Sequence, residues 1–168
     1  MKAILLAAGS GMRLGDLTRE TPKALIDING KTLLERQIIA LQKNDINDIV
    51  VVTGPNNNKF NIKNITYIQD SNYLEHDVLG TMMSVSECMN SDVIISYTDI
   101  VFDEKIIHSI KNTNNDINIG VEMDWRKAYV DRTEHPMEQA ANVLLEDGLV
   151  KKIGHQTKRF GFFKKDSL

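Results

Sequence analysis

Apolar runs and amphipathic stretches alternate along this chain. Ala3, Ile4, Leu5 and Leu6 make a continuous apolar run that ends in glycines. Such a run suits a strand buried on both faces, as in a parallel sheet. From Thr32 to Lys43, Leu34, Ile38 and Leu41 recur at i, i+4, i+7, with Leu33 and Ile39 beside them. That spacing predicts an amphipathic helix, with Thr32 as N-cap and Glu35 three residues on as its capping-box partner. Residues 48–53 predict a second strand, stopped by Gly54 and Pro55. Residues 65–68 predict a third. Residues 79–89 predict a helix packed through Met82, Met83 and Val85. Residues 93–97 read as an apolar strand ending at Thr98 and Asp99, and Asp103 is placed to cap a helix over 104–111. Residues 117–121 read as a further strand. Residues 141–146 and 149–153 flank Asp147-Gly148, a strong two-residue hairpin signal.

Strands alternating with helices, without repeats or linkers, predict a single α/β domain over 1–168 with a mostly parallel sheet. The late hairpin predicts a mixed edge. Ligands of open α/β sheets sit at the carboxyl ends of the strands. Two polar features fall there: the glycine-rich stretch after the first strand, and Asp99.

Composition narrows the classes. Of the 168 residues, 42% are hydrophobic and 26% charged, as in ordinary soluble globular chains. A net charge of −3 argues against a general nucleic-acid binder, which needs a basic surface. It leaves room for a local cationic pocket. The single cysteine, Cys88, precludes an intrachain disulfide and reads as a small buried hydrophobe. No 18-residue apolar run exists, so no membrane span is expected. The apolar stretch from Ala3 to Ala8 is shorter than a secretory core of roughly 7–15 residues. It is read as the first strand of a cytoplasmic protein. His76, His108 and His155 lack metal-ligand spacing and read as ordinary polar positions.

The glycine stretch admits several phosphate sites, and spacing separates them. A P-loop needs Lys and Ser or Thr after its last glycine, but Gly15 is followed by Asp16. A dinucleotide fingerprint needs a third glycine where Leu14 stands, and a helix that Pro22 interrupts. A plain flexible turn leaves Arg13 and Lys23 unexplained. The run Leu6, Ala7, Ala8, Gly9, Ser10, Gly11, Met12, Arg13, followed by Pro22-Lys23, resembles the signature of the nucleotidyltransferase (pyrophosphorylase) family. The resemblance continues through Gly30-Lys31, residues 33–37 and Tyr97-Thr98-Asp99, up to about Gly154. It implies the three-layer, Rossmann-like, mostly parallel (mixed) sheet of nucleotide-diphospho-sugar transferases. It also implies an enzyme that joins an NTP to a small phosphorylated acceptor and releases pyrophosphate.

Under that resemblance Leu6, Ala7, Ala8, Gly9, Ser10 and Gly11 cradle the triphosphate, since glycines let backbone N–H groups approach it. Arg13 faces the departing β- and γ-phosphates. Lys23 faces the attacking phosphate and the α-phosphate. Asp99 is the implied ligand of Mg²⁺. The alternatives for Lys23 and Asp99 are a solvated surface lysine and a turn-capping aspartate.

The second half bears on the nucleotide and the acceptor. Residues 96–102 and 124–127 resemble the phosphocholine and phosphonate cytidylyltransferase branch, which favours CTP and a small phospho- or phosphono-amine or alcohol. Residues 72–84, with Gly80 and Thr81, stand where such enzymes recognise the base and reach the second substrate. A sugar 1-phosphate with CTP, UTP or dTTP is the second reading. Trp125 and Tyr129 read either as an aromatic wall for an ammonium group or as packing residues. Asp124 reads as a metal or ammonium contact, or as a strand-end polar residue, with Glu122 two residues before it. Arg126, Lys127, Arg132 and His135 form a basic stretch that reads as a solvated loop or a contact to the acceptor's phosphate. The family pattern continues further than this chain and adds a second acidic metal ligand, for which Asp166 is a poor candidate. The C-terminus therefore reads as short. Gly161, Phe162 and Phe163 point to a final strand or a homodimer contact. A nucleotide-binding remnant with little catalysis is the alternative of another class.

Overall fold

The computed structural model describes residues 1–9, 21–131, 137 and 140–155. The chain divides into two compact units, Met1–Asp116 and Ile117–Leu168. The first runs through β1 (Lys2–Ala7), β2 (Asp27–Ile28), β3 (Lys31–Thr32), α1 (Leu33–Gln42), β4 (Ile49–Thr53), β5 (Thr66–Gln69), α2 (Val78–Met83), β6 (Val93–Tyr97) and α3 (Glu104–Lys111). β1 pairs in parallel with β4 on one side and β6 on the other, and β5 extends the β4 side. The order is β5-β4-β1-β6. The chain builds outward from β1 through β4 to β5, then returns to the free edge of β1. Such a reversal is a topological switch point, where a parallel sheet opens a crevice at its carboxyl ends.

Both faces of this sheet are covered, which is why its strands are apolar runs rather than alternating ones. Ala3, Leu5 and Ala7 pack with Leu34, Ile38 and Leu41 of α1 and Ile107 of α3. Ile4, Val50 and Val52 pack on the opposite face against Val85, with Cys88 and Met89 beside them. Each fully buried aliphatic side chain contributes roughly 1.5–3 kcal/mol. The predicted capping box forms: Thr32 Oγ1 accepts from the Glu35 amide at 3.1 Å, and Glu35 Oε2 accepts from the Thr32 amide at 2.7 Å. Asp103 Oδ1 caps α3 by accepting from the Lys105 amide at 2.8 Å. Between β2 and β3, Asn29 (φ 53°) and Gly30 (φ 77°) make the left-handed two-residue turn that a tight hairpin requires.

Two expected elements differ. The helix expected over 79–89 is shorter. α2 ends at Met83, and Ser86–Cys88 forms a separate 3-10 turn. Ser84 Oγ donates to the Thr81 carbonyl at 2.7 Å, a local bond that competes with the helical ladder. Met83 consequently lies exposed while Val85 is buried. Residues 117–121, expected as a strand, run as irregular chain with Ile117 82% exposed. Alternation alone makes no strand unless a neighbour supplies the ladder.

The second unit holds a 3-10 turn (Trp125–Tyr129) and an antiparallel hairpin of β7 (Ala141–Glu146) and β8 (Leu149–His155). Asp147 (φ 52°) and Gly148 (φ 75°) form its turn as predicted. The hairpin is a two-stranded sheet of its own rather than a mixed edge of the parallel sheet. Among the described residues no helix is long and apolar enough to cross a membrane.

Two buried polar side chains fix the loops at the carboxyl edge of the parallel sheet. Gln37, on the buried face of α1 and 1% exposed, donates through Nε2 to the carbonyls of Tyr97 (2.8 Å) and Ile100 (2.6 Å). Asp70, 2% exposed just after β5, accepts from the Asn72 amide, Thr81 Oγ1 and His76 Nδ1, each at 3.0 Å. Burial alone would push the Asp70 carboxyl up, but these donors outweigh it and hold it below the usual carboxylate range. The Thr32 amide and hydroxyl lower Glu35 in the same sense.

A carboxylate whose pKa is depressed by folding contributes stability that is present above its unfolded value, near 4, and lost as pH falls through the folded value. Asp70→Asn is therefore expected to be less stable than the parent at neutral pH. It is also expected to lose stability less steeply between roughly pH 5 and pH 2, measured by urea unfolding. An identical acid slope in both proteins would refute an ionised, stabilising Asp70. Gln37→Leu leaves two carbonyls without their donor and is expected to lower the unfolding free energy by about 1–2 kcal/mol, read from the urea midpoint. No shift would mean that water replaces the amide at both carbonyls.

Candidate active site

The carboxyl ends of β1 and β6 meet at the switch point. Their pairing ends at Leu6 with Tyr97, and Thr98 Oγ1 extends it by donating to the Leu6 carbonyl at 2.9 Å. On the other flank, a Cβ on Gly54 would stand 2.5 Å from the Ala8 carbonyl oxygen. Only glycine lets the β4 end pass so close to the chain leaving β1. The ends of three strands thus set the path of residues 6–8.

A cleft of about 440 Å³ opens there. Leu6, Ala7, Ala8 and Gly9 line it along the end of β1, and Tyr97, Thr98 and Asp99 along the end of β6. Lys23 enters from a 3-10 turn (Lys23–Leu25) behind Pro22, whose φ of −52° presets the turn. Lys23 Nζ lies 3.7 Å from Asp99 Oδ2, with the side chains 27% and 50% exposed. Gln37, holding the carbonyls on both sides of Asp99, fixes the segment that carries this carboxylate.

The wall opposite is built by the β5–α2 connection and the first turn of α2: Tyr73, His76, Asp77, Val78 and Thr81. Asp77 Oδ1 caps α2 through the Gly80 amide at 2.9 Å. Gly80 itself does not line the cleft. A Cβ there would come within 2.9 Å of His76 Cβ and Cγ, so its smallness seats the His76 ring. His76, expected to be an ordinary polar position, instead lines the cleft with its ring bonded to the buried Asp70. Asp70 and His76 stand six residues apart in the connection after β5, a spacing that matches neither a metal-ligand nor a helical pattern. Gln37 and Thr98 escaped for a different reason: their partners are 60 to 92 residues away.

Ser10, Gly11 and Arg13 lie outside the described residues, as do Arg132, His135, residues 161–163 and Asp166. Asp124, Trp125 and Tyr129 belong to the second unit and gather on its 3-10 turn. Trp125 and Tyr129 meet edge to face at 5.5 Å, and the Arg126 guanidinium lies 4.8 Å over the Trp125 ring. Asp124 pairs with Lys127 at 3.0 Å. The basic stretch is thus partly spent on its own neighbours. Glu122 Oε1 accepts from the Asp124 amide at 2.8 Å.

Residues 3–139 match the sequence profile of the MobA-like NTP transferase domain. A CTP:phosphoglutamine cytidylyltransferase of Campylobacter jejuni is 30% identical, over 95% of this chain and 68% of its own length. A bifunctional sugar-1-phosphate nucleotidylyltransferase/acetyltransferase of Sulfurisphaera tokodaii is 36% identical over 77% of this chain. A choline-phosphate cytidylyltransferase of Streptococcus pneumoniae is 34% identical over 61% of it. The chain spans only 32% and 46% of the lengths of these last two relatives. Among solved structures, a CTP:phosphocholine cytidylyltransferase from Streptococcus pneumoniae superposes with a TM-score of 0.56 at 31% identity, covering 62% of this chain and 49% of that one. An inositol-1-phosphate CTP transferase from T. maritima shares the fold, with a TM-score of 0.69 at 20% identity over 94% of this chain and 65% of that one. With the match reaching from β1 past Asp99 and through the 3-10 turn of the second unit, the chain belongs to the MobA-like NTP transferase family.

Proposed function

We propose that this chain transfers a cytidylyl group from CTP to a small phosphorylated or phosphonate acceptor and releases pyrophosphate. The observation that carries the reading is the Lys23–Asp99 pair, set at the switch-point cleft whose wall is the Leu6–Gly9 backbone. An acceptor phosphate oxygen attacks the α-phosphorus, the bond from that phosphorus to the bridging oxygen breaks, and pyrophosphate departs with its electrons. No covalent enzyme intermediate is needed, so positioning and charge neutralisation are the protein's contribution. The 6–9 backbone and Gly11 cradle the triphosphate, Arg13 takes the leaving end, and Lys23 neutralises the oxygens between attacking and α-phosphates.

The charges lining the cleft among the described residues are Lys23 against Asp77 and Asp99, with His76 beside them. A triphosphate brought to that set calls for a further cation. Asp99 suits Mg²⁺, a metal that uses one or two carboxylates and takes its remaining ligands from phosphates and water. Bound at Asp99, Mg²⁺ would draw charge from the phosphate oxygens. Asp124, Trp125 and Tyr129 are assigned to the acceptor. The guanidinium stacked on Trp125 supports an indole face that receives cations, as an acceptor's ammonium group would require. A sugar 1-phosphate acceptor is the second reading, favoured by the Sulfurisphaera relative.

Pyrophosphate release should be assayed with CTP, UTP, dTTP and GTP against phosphocholine, aminoethylphosphonate, phosphoglutamine and sugar 1-phosphates. Turnover is expected with CTP and one of the first three acceptors, and loss of it with EDTA. Turnover confined to UTP or dTTP with a sugar phosphate would replace the cytidylyl reading with the second one. Silence with every pair, despite nucleotide binding, would leave a nucleotide-binding remnant. Lys23→Ala is expected to lower turnover by about two orders of magnitude or more with little change in stability, since a half-exposed ion pair contributes about 0–1 kcal/mol. An unchanged rate would show Lys23 to be a surface lysine.

A further inference from the structure

Asp70 is almost completely buried, yet it faces an imidazole that lines the cleft. An ionised carboxylate only accepts hydrogen bonds. His76 Nδ1, 3.0 Å from Asp70 Oδ2, must therefore carry a proton. The second nitrogen of a neutral imidazole is then a bare acceptor. The ring's position is fixed as well: Gly80 packs against its Cβ–Cγ–Cδ2 side, and Thr81 shares the same Asp70 oxygen. Among the described residues, nothing bonds to His76 Nε2.

The cleft's two ends are far apart in the sheet order. Asp99 follows β6 and Asp70 follows β5, three strand spacings away, or roughly 14 Å. A nucleoside triphosphate is long enough to reach from one to the other. With its phosphates at Lys23 and Asp99, its base comes to the β5–α2 wall. There the bases differ in one respect that matters to a bare acceptor. Cytosine carries an amino donor at position 4, whereas uracil and thymine carry a carbonyl acceptor.

We propose that His76, oriented by Asp70, is a specificity-determining residue whose Nε2 accepts a hydrogen bond from the 4-amino group of cytosine. This rests on the reading that the cleft binds a nucleoside triphosphate. The Asp70–His76 pair then excludes UTP and dTTP by setting lone pair against lone pair. Asp70 does not touch the nucleotide. It acts by choosing the tautomer.

Dissociation constants for CTP and UTP, measured by calorimetry on the full chain, test the assignment, with inorganic triphosphate as a probe of the phosphate end. The parent is expected to prefer CTP. In His76→Gln, whose amide turns to present either oxygen or nitrogen, the CTP-over-UTP ratio is expected to fall by about tenfold, with triphosphate affinity unchanged. Asp70→Asn places an amide donor opposite His76 Nδ1, moves the proton to Nε2 and is expected to turn the preference toward UTP. Structural damage would weaken both nucleotides alike and would not invert their order. An unchanged ratio in His76→Gln, or a parent without preference, overturns the role of His76 alone. Failure of the parent to bind any NTP overturns it together with the proposed function.

Discussion

Parallel pairing of β1 on both edges brings the ends of three strands together. With β4 on one flank and β6 on the other, the chain leaving Ala7 has no lateral freedom. Gly54 abuts the Ala8 carbonyl, and Thr98 takes the Leu6 carbonyl. The segment 6–8 is thereby held against the core rather than hung from it. A loop meant to present amide groups to a phosphate benefits from that rigidity, because donors fixed in advance need no reorganisation when charge arrives.

From this junction the cleft is extended in two directions by buried polar side chains. Gln37 reaches from α1 to bracket Asp99, and Asp70 gathers the β5–α2 connection around His76 and Thr81. Burying an amide or a carboxylate is unfavourable unless its bonds are made. Here Gln37 Nε2 and both Asp70 oxygens make theirs to the loops at the carboxyl edge, while Gln37 Oε1 has no partner among the described residues. An aliphatic residue at position 37 would fill the same space but would leave the Asp99 turn free to choose its conformation. The two anchors stabilise modestly and specify strongly.

This division explains what the sequence showed. β1, β4 and β6 were legible as apolar runs, and Thr32 with Glu35, Asp103 and Asp147-Gly148 as local chemistry, because each signal lies within a few residues. Of the candidate site, Leu6, Ala7, Ala8, Gly9, Lys23, Thr81 and Asp99 line the cleft. Gly80 lies behind it, seating His76. Gln37 was hidden inside an amphipathic face, where a polar residue reads as an irregularity. His76 was hidden because its role depends on the burial of Asp70, six residues earlier, which the sequence pattern does not mark. Residues 117–121 failed in the opposite sense: their alternation is strand-like, but pairing is a property of the neighbour.

The Lys23–Asp99 contact also has the right strength for the reaction proposed. At 3.7 Å and partly open to water, it is worth about 0–1 kcal/mol. Phosphate oxygens that take Lys23, and a cation that takes Asp99, can separate the pair with little loss. A short buried pair would have resisted, since breaking one costs about 3–5 kcal/mol. The rigidity of the cleft is thus placed in its backbone and in Gln37 and Asp70. Its charges stay weakly coupled and ready to exchange partners, which is what a site that must bind one polyphosphate and expel another requires.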